Sequence, residues 1–365
     1  VRVVFFVGTL QAGGLERFVT RVSLKATMRN QFTPVVVCLT KKTGIFLKEL
    51  LTARIEVHEA PHRWFRSPVK WWQLVCLLRQ IKPDVVHSQV NFSMLQQFFA
   101  SWVARARFTV TERNCYERSG MALVRRRLQY SILKIFGVYY SANSQRVATH
   151  LATMLRETPE QFTILPNGIN VAEYDPQVIN QGKQGSLPRI IYVARMAAHK
   201  GHLFFLDVLE NLIHVRSLSC EAILIGDGPL RAEIERAIDS KNLRAYTTLT
   251  GVVADVEGYL QTSDIVTLLS DFEGMPNVVI EAMAAGKPVI ATDVGNVREL
   301  FSTGAGVIID KKEVAYTAGV FESLILDAGR RNLMGSAGRE LIQQKFSLDE
   351  SLANLARYYK MILND

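Results

Sequence analysis

Glu273 and Glu281 stand eight positions apart in Ser270-Asp271-Phe272-Glu273-Gly274-Met275-Pro276-Asn277-Val278-Val279-Ile280-Glu281, on either side of what reads as a helix start. Carboxylates in that setting accept hydrogen bonds from ligand hydroxyls. The N–H groups of the first helical turn, at Asn277 and Val278, favour an anion such as a phosphate. Phosphate and carboxylate repel each other, so hydroxyl groups are the better partners for both glutamates. The plainer alternative is that Glu273 caps the helix and Glu281 forms a surface ion pair.

Other segments carry matching chemistry. Arg195 and Lys200, two cations five positions apart, follow the apolar run Ile190-Ile191-Tyr192-Val193. Ala222-Ile223-Leu224-Ile225 closes on Gly226-Asp227-Gly228-Pro229, which reads as a structural glycine turn. Leu249-Thr250-Gly251-Val252-Val253 reads as a further strand.

The elements that must hold these residues follow from the pattern. Ile265 to Leu269 is a short apolar, β-branched run, as expected of a buried strand in a parallel sheet. Pro276 suits the first helical turn, Val278 to Ala285 is apolar with good helix formers, and Gly286-Lys287-Pro288 is a stop signal. The unit is strand, loop, helix, strand, and in open α/β sheets ligands bind at the carboxyl ends of strands.

Taken together, these segments resemble the donor domain of retaining nucleotide-sugar glycosyltransferases of the GT-B fold, glycosyltransferase family four. Gly13-Gly14-Leu15-Glu16-Arg17, Lys82-Pro83-Asp84-Val85-Val86-His87 and Leu165-Pro166-Asn167-Gly168-Ile169 extend the resemblance through the N-terminal half. The implied fold is α/β, with two doubly wound Rossmann-like domains facing across a cleft. The implied boundaries are an acceptor domain at 1–172, a linker at 173–188, a donor domain at 189–345 and a terminal helix at 346–365 that crosses back to the first domain.

The resemblance also implies roles. Arg195 and Lys200 would stabilise the departing diphosphate, Glu273 would hold the donor sugar's hydroxyls, and Glu281 the ribose. Gly274, with Met275, Pro276, Asn277 and Val278, would line the donor site, and Gly251 and Val252 lie where the family contacts the base. Gly13 and Gly14 would bring backbone close to the donor. Glu16, His87 and Arg113 are acceptor-side candidates. Where the family often carries a histidine, this chain has Glu112 and Arg113; Glu112 either serves the acceptor hydroxyl as a catalytic carboxylate or pairs with Arg113 or Arg118. His87 either lines the cleft or is structural. No Asp-x-Asp occurs in the sequence, so metal-independent transfer is expected, without a cofactor and with a UDP-linked sugar as donor. With both donor-site glutamates assigned to hydroxyls, the implied mechanism is front-face substitution with retention. The alternatives are a GT-B nucleotide-sugar epimerase or hydrolase, or a non-catalytic nucleotide-sugar or membrane-binding protein.

Composition supports this division. The chain has 365 residues, which suits two α/β domains, and a formal net charge of +9. Up to Leu187 there are 25 Lys and Arg against 11 Asp and Glu, and beyond it 18 against 23, so the basicity is N-terminal. It concentrates in residues 62–72, with Arg63, Arg66, Lys70 and three Trp, and in residues 123–136, with Arg125, Arg126, Arg127 and Lys134. Cations interleaved with aromatics suit an anionic membrane surface, each contributing about 1 kcal/mol; the alternative is a solvated basic helix face. A glycan or lipid-linked acceptor and a cytoplasmic protein peripheral on the inner face of the membrane are therefore expected. A nucleic-acid partner is not expected, since a basic surface alone gives only nonspecific binding. The scattered Cys38, Cys76, Cys115 and Cys220 read as reduced and structural.

Overall fold

A computed structural model of the chain describes residues 1–11, 13–60, 67–90, 93–113, 121–174, 187–253, 255–310 and 312–365. Residues 62–66 of the first basic stretch, Cys115, Arg118 and residues 175–186 of the expected linker lie outside the described residues. The chain forms two compact units: Val1–Gly168 with Leu348–Asp365, and Ile169–Ser347. The sequence reading carries the first unit to 172. The structure ends it at Gly168, because Ile169 pairs with Ser347 and packs with Tyr174 in the core of the second unit.

The first unit is a parallel sheet of β1 (Arg2–Val7), β2 (Thr33–Cys38), β3 (Glu56–Glu59), β4 (Val85–Ser88), β5 (Arg107–Glu112), β6 (Tyr139–Ala142) and β7 (Thr163–Ile164). Their spatial order is β3-β2-β1-β4-β5-β6-β7. Side chains alternate between two apolar layers. Val4, Phe6, Val35 and Val37 pack under the helices α3 (Pro68–Ile81), α4 (Met94–Val103), α5 (Met121–Ile135) and α6 (Gln145–Leu155). Val3, Phe5, Val7 and Val36 pack on the opposite side, under α1 (Gly14–Met28) and α2 (Leu47–Thr52). Covering both faces explains why the strands read as continuous apolar runs rather than alternating ones.

The second unit is a parallel sheet of β8 (Arg189–Val193), β9 (Glu221–Ile225), β10 (Thr247–Gly251), β11 (Ile265–Leu268), β12 (Val289–Thr292) and β13 (Gly306–Ile309). Its order is β10-β9-β8-β11-β12-β13, so the winding reverses between β8 and β11. Its helices are α7 (His202–Glu210), α8 (Arg231–Ser240), α9 (Val256–Thr262), α10 (Asn277–Ala284), α11 (Val297–Leu300), α12 (Val314–Leu326) and α13 (Ala328–Lys345). The final helix, α14 (Leu348–Asn364), returns to the first unit. It buries Leu348, Leu352, Leu355, Tyr359 and Ile362 along one face against α1 and β1, as its 3.6-residue periodicity requires. Both units are doubly wound α/β sheets, as the sequence implies.

Candidate active site

In the second unit the candidate residues gather at the carboxyl ends of β8 and β11, where the sheet order reverses and a doubly wound sheet opens a crevice. Lys200 Nζ donates to Glu273 Oε1 at 2.5 Å, and Ser270 Oγ donates to the same oxygen at 2.8 Å. The two loops are stitched together around this pair. Asp271 N–H donates to the His199 carbonyl at 2.8 Å, and His199 stacks on Phe272 with ring centroids 4.5 Å apart. Beneath them, the Tyr192 hydroxyl donates to the Lys200 carbonyl and accepts from Leu269 N–H at 3.0 Å. Burial pushes that phenol up, away from ionisation, so it stays a donor.

Glycine is required at two bends here. Gly201 has φ +71°, and a Cβ there would lie 2.1 Å from the Leu269 carbonyl oxygen. Gly295 has φ +57°, and its Cβ would lie 2.7 Å from the Gly274 carbonyl oxygen, so the turn after β12 backs the Gly274-Met275-Pro276 loop. Pro276 is the N-cap of α10, one position before the first turn in which the sequence reading put it. Asn277 and Val278 open the helix, and Glu281, 7% exposed, lies one turn in. Arg195 is exposed and forms no ion pair with any described residue. Gly251 ends β10 with φ +72°, and Val252 beyond it is exposed.

In the first unit the strand-end residues split into two groups. The cleft-lining alternative for His87 does not hold. The ring is buried, with Nδ1 2.8 Å from the Tyr359 hydroxyl and Nε2 2.6 Å from Thr111 Oγ1, so neither nitrogen is left for a ligand. Burial, reinforced by Arg113, lowers its pKa to about 3. Glu112 is buried too, and among the described residues its side chain pairs with an arginine not weighed from sequence; Arg118 lies outside the described residues. Glu112 Oε2 pairs with Arg126 and accepts from the Tyr130 hydroxyl at 2.7 Å, while Arg113 contributes only its backbone N–H at 3.0 Å. Arg126 therefore turns inward, away from the surface to which its sequence neighbourhood assigned it.

Arg113 belongs to the second group. Its guanidinium donates to Gln89 Oε1 at 2.7 Å and to Asn167 Oδ1 at 2.5 Å, and lies 5.2 Å from the Phe18 ring centroid. These acceptors are neutral amides, and burial lowers its pKa to about 10. Buried Gln89 Nε2 and Asn143 Oδ1 beside this network meet no hydrogen-bond partner among the described residues. Glu16, whose pKa is raised by burial, folds its carboxylate back over the start of α1, where a Cβ on Gly13 would meet it at 2.3 Å. Gly14 is the first residue of that helix. Sequence reasoning missed Ser270, Tyr192, His199 and Gly295 as positioning residues. Gln89, two residues beyond His87, was also missed; only closeness to recognised motifs signals Ser270 and Gln89.

Solved structures place this architecture. A glycosyltransferase from Rickettsia africae matches with a TM-score of 0.85 at 20% identity, covering 100% of this chain and 99% of that one. HepE of Anabaena, solved with UDP and glucose, matches with a TM-score of 0.83 at 18% identity, covering 98% and 99%. At such identities the likeness speaks to the fold: two doubly wound parallel sheets of the GT-B type. The sequence profile of Glycosyltransferase Family 4 matches residues 12–173, and that of Glycosyl transferases group 1 matches residues 187–327. The chain belongs to the group 1, family 4 glycosyltransferases. One relative, the alpha-D-kanosaminyltransferase of Streptomyces kanamyceticus, is 29% identical over 178 residues, 48% of this chain and 46% of that protein. The matched segments span between 33% and 46% of the length of the first curated relatives.

Proposed function

We propose that this chain is a retaining, metal-independent glycosyltransferase that moves a hexose or N-acetylhexosamine from a UDP-linked donor to a lipid-linked glycan acceptor, in polysaccharide, lipopolysaccharide or glycolipid assembly. The observation that carries the proposal is the contact of Lys200 with Glu273 at the point where the second sheet reverses its winding. Valence then divides the work. Lys200 Nζ spends one proton on Glu273 and has two for the diphosphate, and Glu273 Oε2 remains for a sugar hydroxyl. Arg195 and the N–H groups of Asn277 and Val278 add positive charge where the leaving group gains negative charge. Glu281 takes the ribose, and Gly251 and Val252 the base. The UDP bound by HepE supports the choice of nucleotide.

Glu273, held by a cation and a hydroxyl, is a poor nucleophile. The C1–phosphate bond therefore breaks as the acceptor oxygen bonds C1 on the same face, and the acceptor's proton passes to the departing phosphate oxygen. In the first unit, Arg113 with Gln89 and Asn143 is the acceptor-side polar group, because Glu112 and His87 are committed internally.

A panel of nucleotide sugars, incubated with and without a lipid-phosphate acceptor, tests this. Turnover is expected only with acceptor, with the anomeric configuration of the donor kept in the product and the rate unchanged by chelator. Turnover without acceptor favours an epimerase or hydrolase; UDP binding without turnover favours a binding protein.

A further inference from the structure

The helices α3, α4, α5 and α6 cover one face of the first sheet, and none of them contains an aspartate or glutamate. The helices on the other face all carry acids: Glu16, Glu49, Asp349 and Glu350. Neighbouring helices on the acid-free side also expose large apolar residues at helical spacing. On α4 these are Leu95, Phe99 and Trp102, the last 64% exposed. On α5 they are Val124, Leu128, Ile132 and Ile135, the last 83% exposed. On α3 they are Val69 and Trp72, with Arg79 held 5.6 Å from the Trp72 ring centroid. Phe98 of α4 meets exposed Phe136, just beyond α5, with ring centroids 6.0 Å apart, so the rows adjoin.

Cations complete the surface. Arg125 is exposed and Arg127 half-buried, and neither forms an ion pair with a described residue. Lys134 is held by Glu157, and Arg126 by Glu112, so their charges are already countered within the unit. An apolar patch on this scale on a water-facing helix layer marks a docking surface. Aromatic and aliphatic side chains rimmed by arginine, with no acid on the helices that carry them, match the headgroup boundary of an anionic bilayer. A second copy is the poorer occupant, since a two-fold interface would set this acid-free face against itself, cation against cation.

We infer that the outer face of α3, α4 and α5 docks on an anionic lipid bilayer. It deepens the lipid-linked acceptor reading of the proposed function and would place the first unit against the surface that presents such an acceptor. Among the described residues no helix is long and apolar enough to cross a membrane; docking through this face is lateral.

Flotation of the full chain with vesicles of phosphatidylcholine alone, or mixed with phosphatidylglycerol, tests it. Binding is expected only with the anionic lipid and is weakened by salt. Trp102→Asp and Ile135→Asp each reduce it at least tenfold. Arg125→Ala and Arg127→Ala each reduce it about fivefold. Trp102, Ile135 and Arg125 are exposed and Arg127 is half-buried, none in the core, so melting curves are expected to match the parent. Undiminished vesicle binding by Trp102→Asp overturns the inference, as does a parent chain that ignores anionic vesicles. So does a parent dimer in light scattering that Trp102→Asp makes monomeric. UDP binding measured on the same variants separates the two readings: it fails only if the donor-site proposal fails, and vesicle binding fails only if the docking face is wrong.

Discussion

The carboxyl ends of the two sheets use the same residue types for opposite purposes. In the second unit, Lys200 and Glu273 are joined on facing loops, part-exposed, and Arg195 stands in solvent. In the first, Glu112 is closed in by Arg126 and Tyr130, and His87 by Thr111 and Tyr359. A strand-end polar residue becomes available to a ligand when its partner is another loop residue. It becomes interior when a helix packed on the sheet reaches over it.

Four measurements break or sharpen that contrast. The largest effect is expected of Glu112→Ala, which leaves Arg126 without its buried counter-charge and lowers stability by about 3–5 kcal/mol in chemical unfolding. Pairing Glu112→Gln with Arg126→Met is expected to recover most of the loss. A Glu112→Ala chain that melts like the parent yet lacks transfer activity would return Glu112 to the acceptor site. Next, Lys200→Ala is expected to lower kcat by about 10²–10³ while melting is little changed; a parent-like rate would remove Lys200 from the leaving group.

The third test concerns protons. His87 and His202 are held neutral by burial, with pKa values lowered to about 3 and about 4 from 6.5. Since the unfolded chain binds the extra protons, stability is level above roughly pH 6.5 and falls as the pH drops toward those values, by about 2 kcal/mol per histidine at pH 5. His87→Gln should flatten the first unit's share of that slope, and an unchanged slope would mean that its ring is not closed in. The smallest effect is expected of Glu281→Ala: about a tenfold rise in KM for the donor, equivalent to about 1.4 kcal/mol, against no change if the ribose lies elsewhere.

The βα alternation was legible because both faces of each sheet are covered, which turns strands such as Val3 to Val7 and Ile265 to Leu268 into plain apolar runs. The edge strand β3 was not, since Glu-Val-His-Glu buries only Val57 fully. At the site, the loops bearing Lys200 and Glu273 were readable from motifs that lie close to their glycines and helix start. The partners of His87 and Glu112 were not. Tyr359 lies 272 positions from His87, and Arg126 sits in a basic run whose neighbours face outward. Helical phase within that run, rather than its composition, decides which arginine turns in.

The return of α14 to the first unit also sets an order of assembly. Residues that cap His87 and Thr109, Tyr359 and Tyr358, are synthesised after every strand of the second sheet. On a ribosome the second unit can close while the first, begun earlier, still exposes the groove over β1 that α14 fills. The unit begun earlier closes only after the later one, and its stability rests on a segment, Leu348–Asp365, that lies beyond the whole of the second unit in the chain.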